Sequence, residues 1–152
     1  MNEKKEHGLL LYANKAKVFS GVLFLLCGGA IYLLFRSKTL YIYVLCKALG
    51  MGSLVDSLRL FVLDWDVPDF IKFSLPDGLY CAAYLLIIDA LWHGYYQWQK
   101  YLFITVIPFV TISSEVLQYF SLVKGTFDFY DLICYLIPPI IYIYYTDVQL
   151  KN

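Results

Sequence analysis

Charge is scarce in this chain. Lys, Arg, Asp and Glu make up 16% of its 152 residues, against about 25% in an ordinary soluble domain. The charges also cancel, twelve basic against twelve acidic, so no basic excess is left for nucleic acid. Histidine occurs only twice and cysteine four times, at Cys27, Cys46, Cys81 and Cys134, without CxxC spacing or clustering. That pattern excludes a disulfide framework and a zinc site of ordinary spacing, and it leaves the thiols as small apolar side chains in helices. No internal repeat or low-complexity tract is evident. What the chain has in abundance is apolar surface: 61% of residues are hydrophobic and 19% aromatic, with fifteen Tyr, eleven Phe and three Trp. Rings with a polar edge suit a bilayer interface. The composition reads as one small integral membrane domain spanning 1–152.

Residues 1–17 form a polar, basic segment with a short apolar patch at Leu9 to Tyr12. Val18 to Phe35 is uninterrupted apolar sequence between Lys15/Lys17 and Arg36/Lys38; as a helix it is about 27 Å long, enough for the hydrocarbon core. It stays apolar past Gly28-Gly29-Ala30, so it reads as a retained anchor rather than a cleaved signal, and the glycines let a neighbouring helix approach closely. The stretches 40–49 and 53–63, parted by Gly50-Met51-Gly52, are too short to span and read as interfacial or re-entrant helices. Ser53 is the expected cap of the second, with Asp56 completing the arrangement. An acidic turn follows at Asp64 to Asp69. Ser74-Leu75-Pro76-Asp77 is a helix start, opening a span over 76–93 in which Asp89 and His93 share a face. That pair reads as an interfacial hydrogen-bonded pair, or else as part of a metal or proton-relay site. The third span, 101–120, contains Pro108 and is expected to kink there, with Thr105, Thr111, Ser113 and Ser114 available to freed backbone groups. The fourth, 128–145, is interrupted by Pro138-Pro139.

The expected fold is therefore all-α: a polytopic membrane protein with four transmembrane helices, plus short helices between the first and second. Both termini then lie on one side. Lys and Arg divide six against six across the two sides, so orientation rests on the basic density of the N-terminal segment and the acidic load of 37–74, which place the termini in the cytoplasm.

Acids within apolar runs need a reason. Glu115 sits inside the third span, where an ionised carboxylate costs roughly 2.5–3.5 kcal/mol at the bilayer centre; partial hydration, protonation or pairing with Lys124 across the turn would relieve it. Asp128 and Asp131 fall in the first turn of the fourth span, one as cap and one beside the positive helix end. Together Glu115, Gln118, Lys124, Asp128 and Asp131 are expected to converge on a polar pocket at the membrane surface, suited to a lipid head group, a sugar-phosphate or a cation. No nucleophile–base pair or metal-ligand set is legible, so neither an enzymatic step nor a cofactor is assigned. A metal hydrolase built from Asp89, His93 and Glu115 would require those groups within a few ångströms of one another.

At these residues the chain resembles the VanZ-like family of small bacterial membrane proteins, over roughly Leu75 to Ile140. The family shows Glu-x-x-Gln in one helix, a short basic/Gly loop, then acid-x-x-Asp entering the next. Glu115, Gln118, Lys124, Asp128 and Asp131 occupy the matching places. Lys124 stands for the family's usual arginine, Tyr135 for an amide-bearing residue, and Pro138-Pro139 for glycines. The resemblance implies a multi-pass protein of the bacterial cytoplasmic membrane that binds or modifies an envelope lipid or glycan, with membrane lipids as its other partners. The alternative is a non-enzymatic assembly subunit or oligomeric pore-like effector, with Gly28-Gly29 and residues 40–63 as contact surfaces.

Overall fold

Each apolar run becomes a helix. The computed structural model describes residues 3–92 and 97–151, with side chains for 13–92 and 98–146. Its helices are α1 (Glu3–Phe35), α2 (Tyr41–Ala48), α3 (Gly52–Phe61), α4 (Asp69–Phe73), α5 (Leu75–Leu91), α6 (Gln97–Tyr119) and α7 (Phe129–Lys151), and no strand occurs among the described residues. The all-α expectation and the two short helices after the first are borne out. Several boundaries differ, α7 running on to Lys151 rather than 145, and one helix is new. α1 begins at Glu3, because Glu, Lys, Leu and Ala are good helix formers that continue the anchor backwards. α6 starts at Gln97 rather than 101. The brief α4 was not anticipated; Pro68 occupies its N-cap and Asp69 its first turn.

Among the described residues two helices, Ala13–Phe35 within α1 and Trp98–Tyr119 within α6, are long and apolar enough to cross a membrane. α5 has 17 residues, about 25 Å of helix, and α7 is diluted by tyrosines and Pro138-Pro139. The core is small. Cys81, Leu85 and Ile104 are buried, with Tyr84, Ile88, Tyr135 and Tyr142 packed against them. Large apolar side chains point outward instead: Phe19 and Phe109 are each 72% exposed, and Leu26 is 66% exposed. An apolar shell around a thin core is what a lipid-facing bundle requires.

α5 is the central element, packed against α1, α6 and α7 and touching α4. It runs antiparallel to α1, since Lys17 pairs with Asp89 and Tyr32 with Asp77. Glycines seat both neighbours. A Cβ on Gly28 would lie 3.2 Å from the Tyr80 ring, and one on Gly21 only 2.7 Å from Ile87 Cγ1, so Gly28 does its expected work inside the chain, against α5. On the opposite face Gly78 lies against α7, where a Cβ would meet the Cys134 carbonyl oxygen at 3.0 Å. That carbonyl is the one Pro138 leaves without a helical donor, and Pro139 does the same to Tyr135. The Cys81 thiol faces the Tyr135 oxygen at 3.9 Å. α7 therefore continues as one helix through its two prolines with its weakened turn towards α5.

Pro108 likewise leaves α6 unbroken. The nearby hydroxyls donate to local carbonyls, Thr111 to Ile107 at 2.9 Å and Thr105 to Tyr101 at 2.9 Å.

The α2–α3 hairpin closes with a Schellman motif: Gly50 has φ 77°, Met51 N–H reaches Cys46 O at 2.9 Å and Gly50 N–H reaches Lys47 O at 3.1 Å. Ser53 does not cap α3; Met51 holds that position without a side-chain bond. Asp56 instead accepts the Tyr43 hydroxyl at 3.0 Å and pairs with Lys38 at 2.5 Å. The Lys38 ammonium first, and then the Tyr43 hydroxyl, hold the Asp56 carboxyl below its ordinary range. Arg59 turns back to α1, donating from Nε to Leu34 O at 3.2 Å and from Nη2 to Arg36 O. A guanidinium thus closes the negative end of the long helix with two donors. Arg59→Met is expected to cost about 2 kcal/mol by losing this charged cap, read as a lowered unfolding midpoint in detergent; Arg59→Lys recovers only part, since an ammonium lacks the planar fork.

Candidate functional site

Two polar layers interrupt the apolar bundle, twelve residues apart on α5 at Asp77 and Asp89, about 18 Å along the axis. The first is built where α6 ends and α7 begins. α6 finishes in a second Schellman motif, with Leu122 N–H on Leu117 O at 2.9 Å, Ser121 N–H on Gln118 O at 2.9 Å, and Ser121 at φ 57°. Asp128 is the N-cap of α7: its Oδ1 accepts Tyr130 N–H at 2.8 Å. In an ordinary capping box the acid three residues on, here Asp131, would accept the cap residue's own N–H. Here Glu115 of α6 accepts the Asp128 N–H with Oε2, at 3.4 Å. Asp131 is thereby freed, and its Oδ1 is buried without a hydrogen-bond partner.

Glu115 is only 6% exposed. Asp77, Asp128 and Asp131 all bear on it electrostatically, and Asp131 also repels Asp77. Asp77 accepts the Tyr32 hydroxyl at 2.7 Å, and Tyr135 stands beside Asp77, Asp131 and Glu115. Arg36 supplies the nearest positive field at Asp77; its guanidinium donates to Phe73 O at 2.9 Å and lies over the Tyr32 and Phe73 rings, 5.0 and 4.9 Å from their centres. Four helices therefore bring four carboxylates and two phenols to one end of the bundle.

Glu115, Asp128 and Asp131 converge as expected. Gln118 joins the loop rather than the carboxylates, lying so close to Gly125 that a Cβ there would meet its Cδ at 2.7 Å. Lys124 is exposed and pairs with no acid among the described residues; the turn carries it outward, so of the three ways of relieving Glu115 the pairing with Lys124 is not the one formed. Asp77, Tyr32 and Tyr135 were not expected at the site. Asp77 reads in sequence as a helix-start acid, and nothing in α1 marks Tyr32 among the chain's many tyrosines. Ser74 does occupy the N-cap of α5, but its buried Oγ bonds to nothing.

The second layer centres on Asp89, which is 3% exposed. It takes one donor from each surrounding helix: Lys17 of α1, Lys100 of α6 at 2.5 Å, and the Tyr142 hydroxyl of α7 at 2.6 Å. The expected partner, His93, lies outside the described residues. Asp89 is a structural crosslink of all four long helices, held by charges that sequence separation hides. No group of three or more His, Cys, Asp or Glu is placed to hold a metal among the described residues.

No family model, curated protein or solved structure matches the chain. The site's chemistry rests on its own geometry. A buried glutamate among half-buried aspartates, with one buried free acceptor and no ammonium among them, receives hydrogen-bond donors: hydroxyls or an amine.

Proposed function

We propose that this is a four-span membrane protein of VanZ-like type in the bacterial cytoplasmic membrane, with α1, α5, α6 and α7 crossing and both termini cytoplasmic. It binds the hydroxyl- or amine-bearing part of an envelope lipid or glycan at the layer formed by Asp77, Glu115 and Asp131. The observation that carries this reading is the buried, unpartnered Asp131 Oδ1, left open because Glu115 has taken over its capping duty. Native structures rarely leave such an acceptor empty without a functional reason. Like charge disfavours a bare phosphate there, so of the head-group and sugar chemistries considered, donors are the better fit. No covalent step is assigned, because no nucleophile–base pair accompanies the carboxylates.

The test is retention of endogenous ligands. The full-length protein is purified from membranes in mild detergent, and the sugar- and amine-bearing lipids carried with it are quantified by mass spectrometry. Asp131→Asn and Glu115→Gln are expected to insert normally while retaining at least about tenfold less, the scale of one charged hydrogen bond. Equal retention by the wild type and both variants discards the site.

A further inference from the structure

The second polar layer ends an apolar groove that the first does not touch. The groove, about 560 Å³, runs between α1, α5 and α7, walled by Phe24, Leu79, Ala82, Leu86, Ile137 and Ile141. It follows α5 from Leu75 to Asp89, about 21 Å of helix, longer than the roughly 15 Å half-thickness of the hydrocarbon core. Its volume lies within the ordinary range of about 300–1,000 Å³ for small-molecule sites. Along its length it offers carbon; at one end it offers Lys17, Asp89 and Tyr142.

Among the described residues, the charge at that end does not balance. Lys17 and Lys100 both pair with the single Asp89 carboxylate, so the trio carries one net positive charge at the edge of a low-dielectric bundle. An ammonium has three donors, and each lysine uses one in the described bonds. Lys17 remains 32% exposed and Lys100 22% exposed, so neither is sealed off. Asp89 spends its two oxygens on the lysines and Tyr142, leaving the spare donors for an anion from outside.

We propose that this groove is a binding site for an anionic phospholipid: one acyl chain lies between α1, α5 and α7, and the phosphate rests on the free N–H groups of Lys17, with Lys100 adding field. An amphiphile is required by the join of a long apolar trough to a net-positive end; a free phosphate would use only the end, and a second copy of the chain would use only the trough. The N-terminal side places this head group in the cytoplasmic leaflet, where anionic lipids make the surface negative. The lipid would act as a wedge joining α1 to α7, two helices that otherwise meet chiefly through α5.

The experiment uses the full chain in phosphatidylcholine vesicles containing trace chain-spin-labelled phosphatidylglycerol or phosphatidylcholine, with the motionally restricted fraction as readout. Phosphatidylglycerol is expected to be preferred about fivefold, the contribution of one uncompensated lysine at the surface. Lys17→Met removes the preference and Lys17→Arg keeps it. Ala82→Phe, which fills the trough and leaves the charges alone, lowers the restricted fraction for both lipids, and serves alone should Lys17→Met fail to fold. Asp131→Asn keeps the preference, because that residue belongs to the other layer. Equal association of the two lipids, a preference surviving Lys17→Met, or displacement of the label by millimolar inorganic phosphate overturns the proposal. So does a dimer, counted by photobleaching, whose formation expels labelled lipid.

Discussion

Asp89→Asn is expected to destabilise the bundle by about 3 kcal/mol. Removing one member of a buried charge group leaves the others uncompensated, at a cost of roughly 3–5 kcal/mol; the partial exposure of Lys17 and Lys100 puts this site at the low end. The amide keeps the Tyr142 bond, so the loss reads the charge rather than the shape. The measurement is the denaturation midpoint of purified protein. Combining Asp89→Leu with Lys17→Met and Lys100→Met is expected to restore most of the loss, because an apolar trio of similar volume replaces the desolvated charges. A triple variant no better than Asp89→Asn would show that the layer is held by something other than its charges.

Gly78→Val carries the second large effect. A Cβ at this position already meets the Cys134 carbonyl oxygen at 3.0 Å and Cys134 Cβ at 3.1 Å, and backbone cannot rotate away as a side chain can. Branching at Cβ adds volume where none is available, so α7 must move from α5 at a cost of about 1–3 kcal/mol, the usual range for overpacking. The same displacement separates Asp131 on α7 from Asp77 on α5. The variant is therefore expected to lose ligand retention as well as stability. Gly21→Ala makes a useful contrast: its closest contact, 2.7 Å, is with the Ile87 side chain, which can shift, its backbone contact with Ala83 O is looser at 3.2 Å, and the loss should stay near 1 kcal/mol. Thermal unfolding of the two variants in one detergent separates a backbone clash from a side-chain one.

The helices were legible because apolar runs of different lengths leave few alternatives, and the Gly50 break between α2 and α3 is a local signal that only one conformation satisfies. The boundaries that moved are those where polar residues with good helix propensity flank an apolar run, as 3–17 do ahead of the anchor. The acid–x–x–acid pattern of Asp128 and Asp131 marked the start of α7, and Glu115 stood out through its cost in an apolar setting. What the sequence hides is pairing between distant elements. Lys17 and Asp89 are separated by 72 positions, and each alone looks like a boundary residue at its own helix end. Tyr32 and Asp77 are hidden in the same way. Lys124 misleads for the opposite reason: proximity in sequence suggests a partner for Glu115, while the turn after Ser121 points it to water. The prolines of α7 read as a break, yet the run continues as helix because α5 presents a glycine and a thiol to the two carbonyls that lost their donors.

That arrangement bears on biogenesis. If α7 crosses the membrane as proposed above, it must satisfy its own backbone on entering lipid, and alone it has two carbonyls, on Cys134 and Tyr135, without helical donors. Its finished form exists only against α5, which is synthesised earlier and waits with Gly78 and Cys81 exposed. On that reading α7 is made competent by docking on α5, so assembly has a built-in order.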